Sequence, residues 1–214
     1  MSEQRTPAKV WSEMLRGNER FVSGEPQHPR QDVEQRSRLI GQQTPHAALF
    51  GCSDSRLAAE IIFDNGLGDL FVVRNAGQII SDSVVGSLEY AVAVLQVPLI
   101  VVLGHDECGA VSAAIDSQQP DATPLPPHIN TLVQKIVPAV HRTRDAAKAK
   151  GALADERPDA IEVAREHLRE TVSELLQTSE LISDAIAAGT LAIVGANYRL
   201  FEGTAVPDIV VGRV

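Results

Sequence analysis

Four short apolar runs alternate with segments of helical periodicity, and this alternation constrains the fold more than any other feature of the chain. The runs are PHAALFG (45–51), LFVVRNAG (70–77), VPLIVVLG (97–104) and LAIVGANY (191–198), with PDIVVGRV (207–214) as a fifth. Between them, 57–66, 81–95, 107–116, 129–149 and 160–188 read as helices, and QQPDATPLPPH (118–128) reads as a proline-rich loop. Apolar strands alternating with helices build parallel βαβ units that need cover on both faces. The expectation is an α/β fold: a mostly parallel central sheet of about four to five strands flanked by helices, in one domain spanning 1–214. An amphipathic helix over 7–22, with Val10, Trp11, Met14, Leu15 and Phe21 on one face, opens an N-terminal helical arm over 1–40. Its apolar face is expected to reach a neighbouring subunit.

Composition removes several function classes. With 28 acidic against 19 basic residues the formal charge is −9, the wrong balance for a general nucleic-acid binder. Aromatics make up only 4%, which leaves few rings for stacking. The longest apolar stretch is interrupted by Gln96 and Pro98 and is too short to span a bilayer. The N-terminal residues lack an apolar secretory core, so a cytoplasmic location is expected, with no membrane partner.

In parallel α/β sheets, ligand sites lie outside the carboxyl ends of the strands. Both cysteines of the chain fall there. The first run leads into Cys52-Ser-Asp54-Ser-Arg56, and the third leads into His105-Asp-Glu-Cys108-Gly109. If the first segment stays extended, Cys52, Asp54 and Arg56 project to one side. Three-residue spacing at a helix start puts His105 and Cys108 on one face. Two cysteines and a histidine form a known ligand set for catalytic zinc, with the fourth position left to water. Two buried thiols, or a Cys–His–acid triad, are the competing interpretations of the same residues.

Other motifs fail on spacing. A thiol phosphatase loop requires Arg six positions after its cysteine, where this chain has Ala58. The Gly104–Gly109 spacing resembles a P-loop, but Ala110 and Val111 occupy the Lys and Ser/Thr positions. Gly66-Leu67-Gly68 lacks the third glycine of a dinucleotide fingerprint, because Phe71 stands there.

The pair Cys52-x-Asp54-x-Arg56 and His105-x-x-Cys108, separated by LFVVRNAG and SLEYAV, resembles the β-class carbonic anhydrases. That resemblance runs from about Gln43 to Ala114 and more weakly over LAIVGANY. It implies reversible hydration of carbon dioxide to bicarbonate and a proton, by hydroxide on one Zn(2+) per chain. Zinc would be held by Cys52, His105 and Cys108, with Asp54 and Arg56 as the catalytic dyad. The resemblance permits, without requiring, a closed low-pH state in which Asp54 joins the metal, and ligand competition predicts one, since water is a poorer ligand than hydroxide. Gln43, Phe71, Tyr90 and Gly109 would line the substrate pocket, in a homodimer or dimer of dimers. Some family members carry an inhibitory bicarbonate pocket of Trp, Arg and Tyr. Here Arg74 and Tyr198 match two of its positions, and Leu49 replaces the tryptophan. A related hydrolase acting on carbonyl sulfide or carbon disulfide, and a non-catalytic zinc protein, are the alternatives. His28, His46, His128, His141 and His167 show no partner pattern and are expected at the surface.

Overall fold

A computed structural model describes residues 5–151, 153 and 156–214. The elements run α1 (Pro7–Ser23), α2 (Val33–Arg38), β1 (Ala47–Cys52), α3 (Ala59–Ile62), β2 (Leu70–Asn75), α4 (Asp82–Ala93), β3 (Leu99–His105) and α5 (Gly109–Asp116). They continue with α6 (Pro127–Gln134), α7 (Val137–Ala149), α8 (Ala160–Thr178), α9 (Glu180–Ala187), β4 (Ala192–Arg199) and β5 (Thr204–Val211). The strands form one sheet in the order β2-β1-β3-β4-β5. β1 to β4 are parallel and β5 is antiparallel to β4, so the expected α/β architecture is the one observed.

Strands β1 and β3 are buried at every position, which is why their sequences are apolar without alternation. Leu49, Val101, Leu103 and Val194 face a core shared with α1, α3, α5, α6 and α7. Phe50, Ile100, Val102 and Ile193 face a second core with α4, α9 and the later turns of α8. The edge strand β5 carries Pro207 beside a bulge, where a missing backbone donor is tolerated. Asp208 at that bulge accepts hydrogen bonds from Arg165 and Arg169, which ties β5 to α8.

Three expected segments differ in detail. The 129–149 helix is two helices, because Pro138 in the first turn of α7 starts a helix more readily than it continues one. The 160–188 helix breaks at Ser179, whose extended backbone and side chain cap α9 through the Ile182 N–H. The 57–66 helix shrinks to α3, since Asp64 adopts a left-handed φ of 46°. Its carboxylate is held there by Arg20 and by the backbone N–H groups of Gln27 and His28.

Helix α1 begins at a Thr6 cap with Pro7 at the first position, and it ends on left-handed Gly24. Its Val10, Trp11 and Met14 are buried against the chain's own core, so this apolar stripe is covered without a neighbour. Asn18 fixes the docking: its amide donates to the Ile62 and Gly203 carbonyls and accepts from the Ala205 N–H. Gly17 permits the close approach, because a Cβ there would lie 1.9 Å from the Phe63 carbonyl oxygen.

No helix among the described residues is long and apolar enough to cross a membrane.

The Gly17 contact gives the first testable prediction. In an unobstructed helix, Gly→Ala gains about 1 kcal/mol from propensity. Here the clash is with backbone, and overpacking costs about 1–3 kcal/mol. Gly17→Ala should therefore lower the urea midpoint, whereas a raised midpoint would contradict this docking of α1.

Candidate metal centre

The site forms where parallel strands end side by side. β1 stops at Cys52, β3 stops at His105, and Cys108 is the residue that caps the start of α5. The ligand atoms of Cys52, His105 and Cys108 lie within 4.8 Å of one another, and all three residues are buried. The local route differs from a shared helix face. His105 belongs to a strand, and the chain reverses through Glu107 at a φ of 49° before Cys108 enters the helix.

His105 is oriented by its backbone neighbour. Its Nδ1 lies 2.7 Å from the Asp106 carbonyl, which requires the proton on Nδ1. That leaves the Nε2 lone pair, which is buried and has no hydrogen-bond partner among the described residues. A buried acceptor nitrogen beside two sulfurs is the arrangement expected of a ligand set. The donors suit a borderline-soft cation and not magnesium or calcium, which prefer oxygen.

The two thiols are electrostatically unequal. The Cys108 thiol beside it lowers the Cys52 pKa against the effect of burial, and the Gly77 N–H adds to the shift. Cys108 moves the other way, raised by the Cys52 sulfur and by burial. Without a cation the pair therefore keeps one proton shared between the two sulfurs. A bound cation must expel it.

Beyond Cys52 the chain turns and does not stay extended, since the Leu57 N–H returns to the Asp54 carbonyl at 3.0 Å. Within this turn Asp54 accepts from the Arg56 backbone N–H at 2.9 Å, from its Nε at 2.9 Å and from its Nη2 at 2.7 Å. The Arg56 guanidinium holds the Asp54 carboxyl well below the usual carboxylate range. Arg56 also reaches the Glu107 carbonyl, linking the two site loops. Arg74 donates to the Cys52 carbonyl at 2.9 Å and to the Asp54 carbonyl at 2.6 Å, which straps the end of β1. Asp54 is not part of the three-residue ligand cluster; it is turned toward Arg56.

The remaining sequence candidates separate. Gly109 follows Cys108 directly, and a Cβ there would meet nothing within 4 Å, so the space beside the cluster is open. Phe71 and Tyr90 contact each other with ring centroids 6.0 Å apart. Phe71 pairs in register with Ala48, four positions before Cys52, so it lies toward the opposite end of the sheet. Gln43 is exposed in the loop before β1, and Tyr90 is 44% exposed. One chain thus does not bring Gln43, Phe71 and Tyr90 to the cluster. Leu49 is packed in the core that also holds Tyr198, and the Arg74 donors go to backbone carbonyls.

Two histidines depart from the surface position expected of them. His28, His128 and His141 are exposed, but the His46 side chain is only 12% exposed beside Asp69, and His167 is 3% exposed and sits behind the site. The signal was present in its phase: His167 falls on the buried stripe of α8 with Val163, Ala164, Leu168, Thr171, Val172 and Leu175. Gly77 is the other residue missed, and its N–H lies 3.4 Å from the Cys52 sulfur.

The carbonic anhydrase family pattern matches residues 47–205. Carbonic anhydrase 2 of Mycobacterium tuberculosis is 48% identical over 97% of this chain and 96% of its own length. A carbonic anhydrase of Mycolicibacterium smegmatis is 46% identical over 92% of this chain and 91% of its own length. Among solved structures, a tetrameric β-carbonic anhydrase of Sordaria macrospora matches with a TM-score of 0.70 at 24% identity. That match covers 92% of this chain and 96% of the other, and it concerns the fold alone.

The proton held by the thiol pair makes cation binding pH-dependent. Calorimetric titration of the chelator-treated protein with a divalent cation, near neutral pH, should release on the order of one proton per ion. Affinity should fall as pH falls, because protons compete for the thiolates. Binding without proton release would show that the thiols are not the ligands.

Proposed function

The chain belongs to the β-carbonic anhydrase family, and from that premise we propose that it hydrates carbon dioxide reversibly at one zinc ion held by Cys52, His105 and Cys108. The observation that carries this reading is the buried Nε2 of His105, left without a partner beside two thiols. Zinc favours four-coordinate sulfur and nitrogen sets, and three protein donors leave one position for a reactant. When bound, zinc supplies acidified water as a nucleophile close to neutral pH.

The protein's own groups do the rest. The Asp54 carboxylate accepts a hydrogen bond from the attacking oxygen and fixes the direction of its lone pair. Arg56 holds that carboxylate in place through two side-chain bonds and one backbone bond. An exposed ion pair contributes little stability on its own, so this pair is read as an orienting device. Asp54 would also be the residue placed to take the fourth position of a bound zinc at low pH, where water is a weaker competing donor. The bidentate pairing with Arg56 supports the open arrangement. Gly109 leaves room for the substrate beside the metal. Two thiolates offset the charge of the ion, so activity rises into the alkaline range.

The assembly proposed is a homodimer or dimer of dimers, in which Gln43, Phe71 and Tyr90 complete a partner's pocket. Their separation from the cluster within one chain supports this, as does the tetrameric Sordaria relative. Reduced thiol ligands fit a cytoplasmic location.

Stopped-flow carbon dioxide hydration on metal-quantified protein tests the function. Near-stoichiometric zinc with no hydration at alkaline pH would overturn it. Arg56→Ala should keep zinc and lose about 100-fold or more in kcat/KM, whereas wild-type rates in that variant would remove the dyad. Light scattering should give at least twice the chain mass. Tyr90→Arg should lower that mass and the activity together, and a change in neither would place Tyr90 outside any shared pocket.

A further inference from the structure

We propose that His167 is a positioning residue for the metal centre, holding the Gly77 N–H on the Cys52 sulfur by donating its own Nε2–H to the Gly77 carbonyl. The proposal rests on the zinc reading of the cluster and adds to it a partner from helix α8. The Gly77 N–H donates to Cys52 Sγ at 3.4 Å, and the Gly77 carbonyl lies 2.7 Å from His167 Nε2. The two residues are 90 positions apart, so α8 supplies a long-range restraint on a loop of the site.

That loop needs restraint. Gly77 has a φ of 77° and Gln78 a φ of 40°, two consecutive left-handed residues. A non-glycine residue in that region costs on the order of 1 kcal/mol or more and persists only where its surroundings over-determine it. The surroundings here are explicit. Asn75 closes the loop by accepting from the Ile79 N–H at 2.9 Å and donating to its carbonyl at 2.7 Å. Thr171, one turn beyond His167, lies 3.4 Å from the Gln78 carbonyl and donates to the His167 carbonyl at 2.8 Å. On the opposite side, a Cβ at position 77 would be 3.0 Å from Ala110 and from Ile136. The Gly77 peptide groups are therefore pinned between the site and α8.

The chemistry fixes the tautomer. A carbonyl accepts, so Nε2 carries the proton, and Nδ1 is buried with no partner. Burial also lowers the His167 pKa, which keeps the ring neutral. Removing the donor leaves the Gly77 carbonyl buried without its partner. The left-handed turn at Gln78 then loses a restraint, and the Gly77 N–H is free to leave the Cys52 thiolate. Outer partners of metal ligands typically contribute about 10- to 100-fold in affinity.

The test uses the zinc-loaded full chain and transfer of zinc to a chelator. His167→Phe, which keeps a ring but no donor, should lose zinc about 10- to 100-fold faster than wild type. His167→Gln, whose amide nitrogen can reach the same carbonyl, should stay within a few-fold of wild type. In the cobalt-substituted proteins the thiolate charge-transfer band should shift in the Phe variant and not in the Gln variant. A Phe variant that loses zinc at the wild-type rate, or a Gln variant that rescues nothing, overturns the proposal. Wild-type protein that binds no zinc overturns both this proposal and the zinc reading. Wild-type binding with an unaffected Phe variant overturns this one alone. If the Phe variant does not fold, ring nitrogen-15 shifts of wild-type His167 decide: the Nε2–H tautomer is required, and an Nδ1–H tautomer overturns the proposal.

Discussion

The parallel pairing of β1 with β3 is the constraint on which the rest of the structure depends. Its register sets Gly51 against Leu103, which brings the ends of both strands to the same level. Cys52 and His105 follow at those ends, and α5 returns from β3 so that its capping residue Cys108 closes the triangle. From β1 the chain crosses to β2 on one side, whereas from β3 it crosses to β4 on the other. Such a reversal opens a crevice between the two central strands, where open α/β sheets place their ligands. A one-residue slip would turn every side chain of a strand to the other face, so core packing and ligand geometry are specified by the same hydrogen bonds.

Packing and polar ties then make the strand ends rigid. Arg74 on the edge strand β2 binds the Cys52 and Asp54 carbonyls, and Arg56 spans from Asp54 to Glu107. Asp106 accepts the Leu200 N–H, so the loop after β3 is fixed to the β4–β5 turn as well. None of these bonds is large in isolation, at about 1 kcal/mol net. Together they hold two loops that would otherwise be free to move apart. The cost of folding such loops is met by burial elsewhere, chiefly at β1 and β3, which are covered on both faces.

Much of this was legible in the sequence because strand burial leaves a strong mark. AALFG and LIVVLG are apolar without interruption, and the chemistry-bearing residues stand directly after them. The losses have separate physical causes. Helix α2 has no buried residue, so its six residues leave no apolar period to detect. The turn at Asp54–Leu57 depends on side-chain bonds to the backbone that no strand periodicity encodes. Residue type gave little guide to His167, because histidine occurs both inside and outside; only its phase on α8 marked it as buried. Gln43, Phe71 and Tyr90 were distinguished by family resemblance, and the register that sets Phe71 against Ala48, with Tyr90 beside it, places these rings away from the Cys52 end of β1.

Charge placement accords with the proposed reaction. The substrate is neutral and the product is an anion, so a chain with a formal charge of −9 neither attracts the one nor retains the other at long range. Local cations could still trap bicarbonate, since guanidinium groups bind carboxylate-like anions through two parallel donors. Here the guanidinium groups beside the cluster have other partners: Arg56 is paired with Asp54, and Arg74 is bonded to two backbone carbonyls. Their positive charge shapes the loops and orients a carboxylate, and those donors are already engaged when an anion forms. In the reaction proposed above, thiolates and imidazole would hold the metal, one fixed carboxylate would steer, and the anionic product would leave into an acidic surface field.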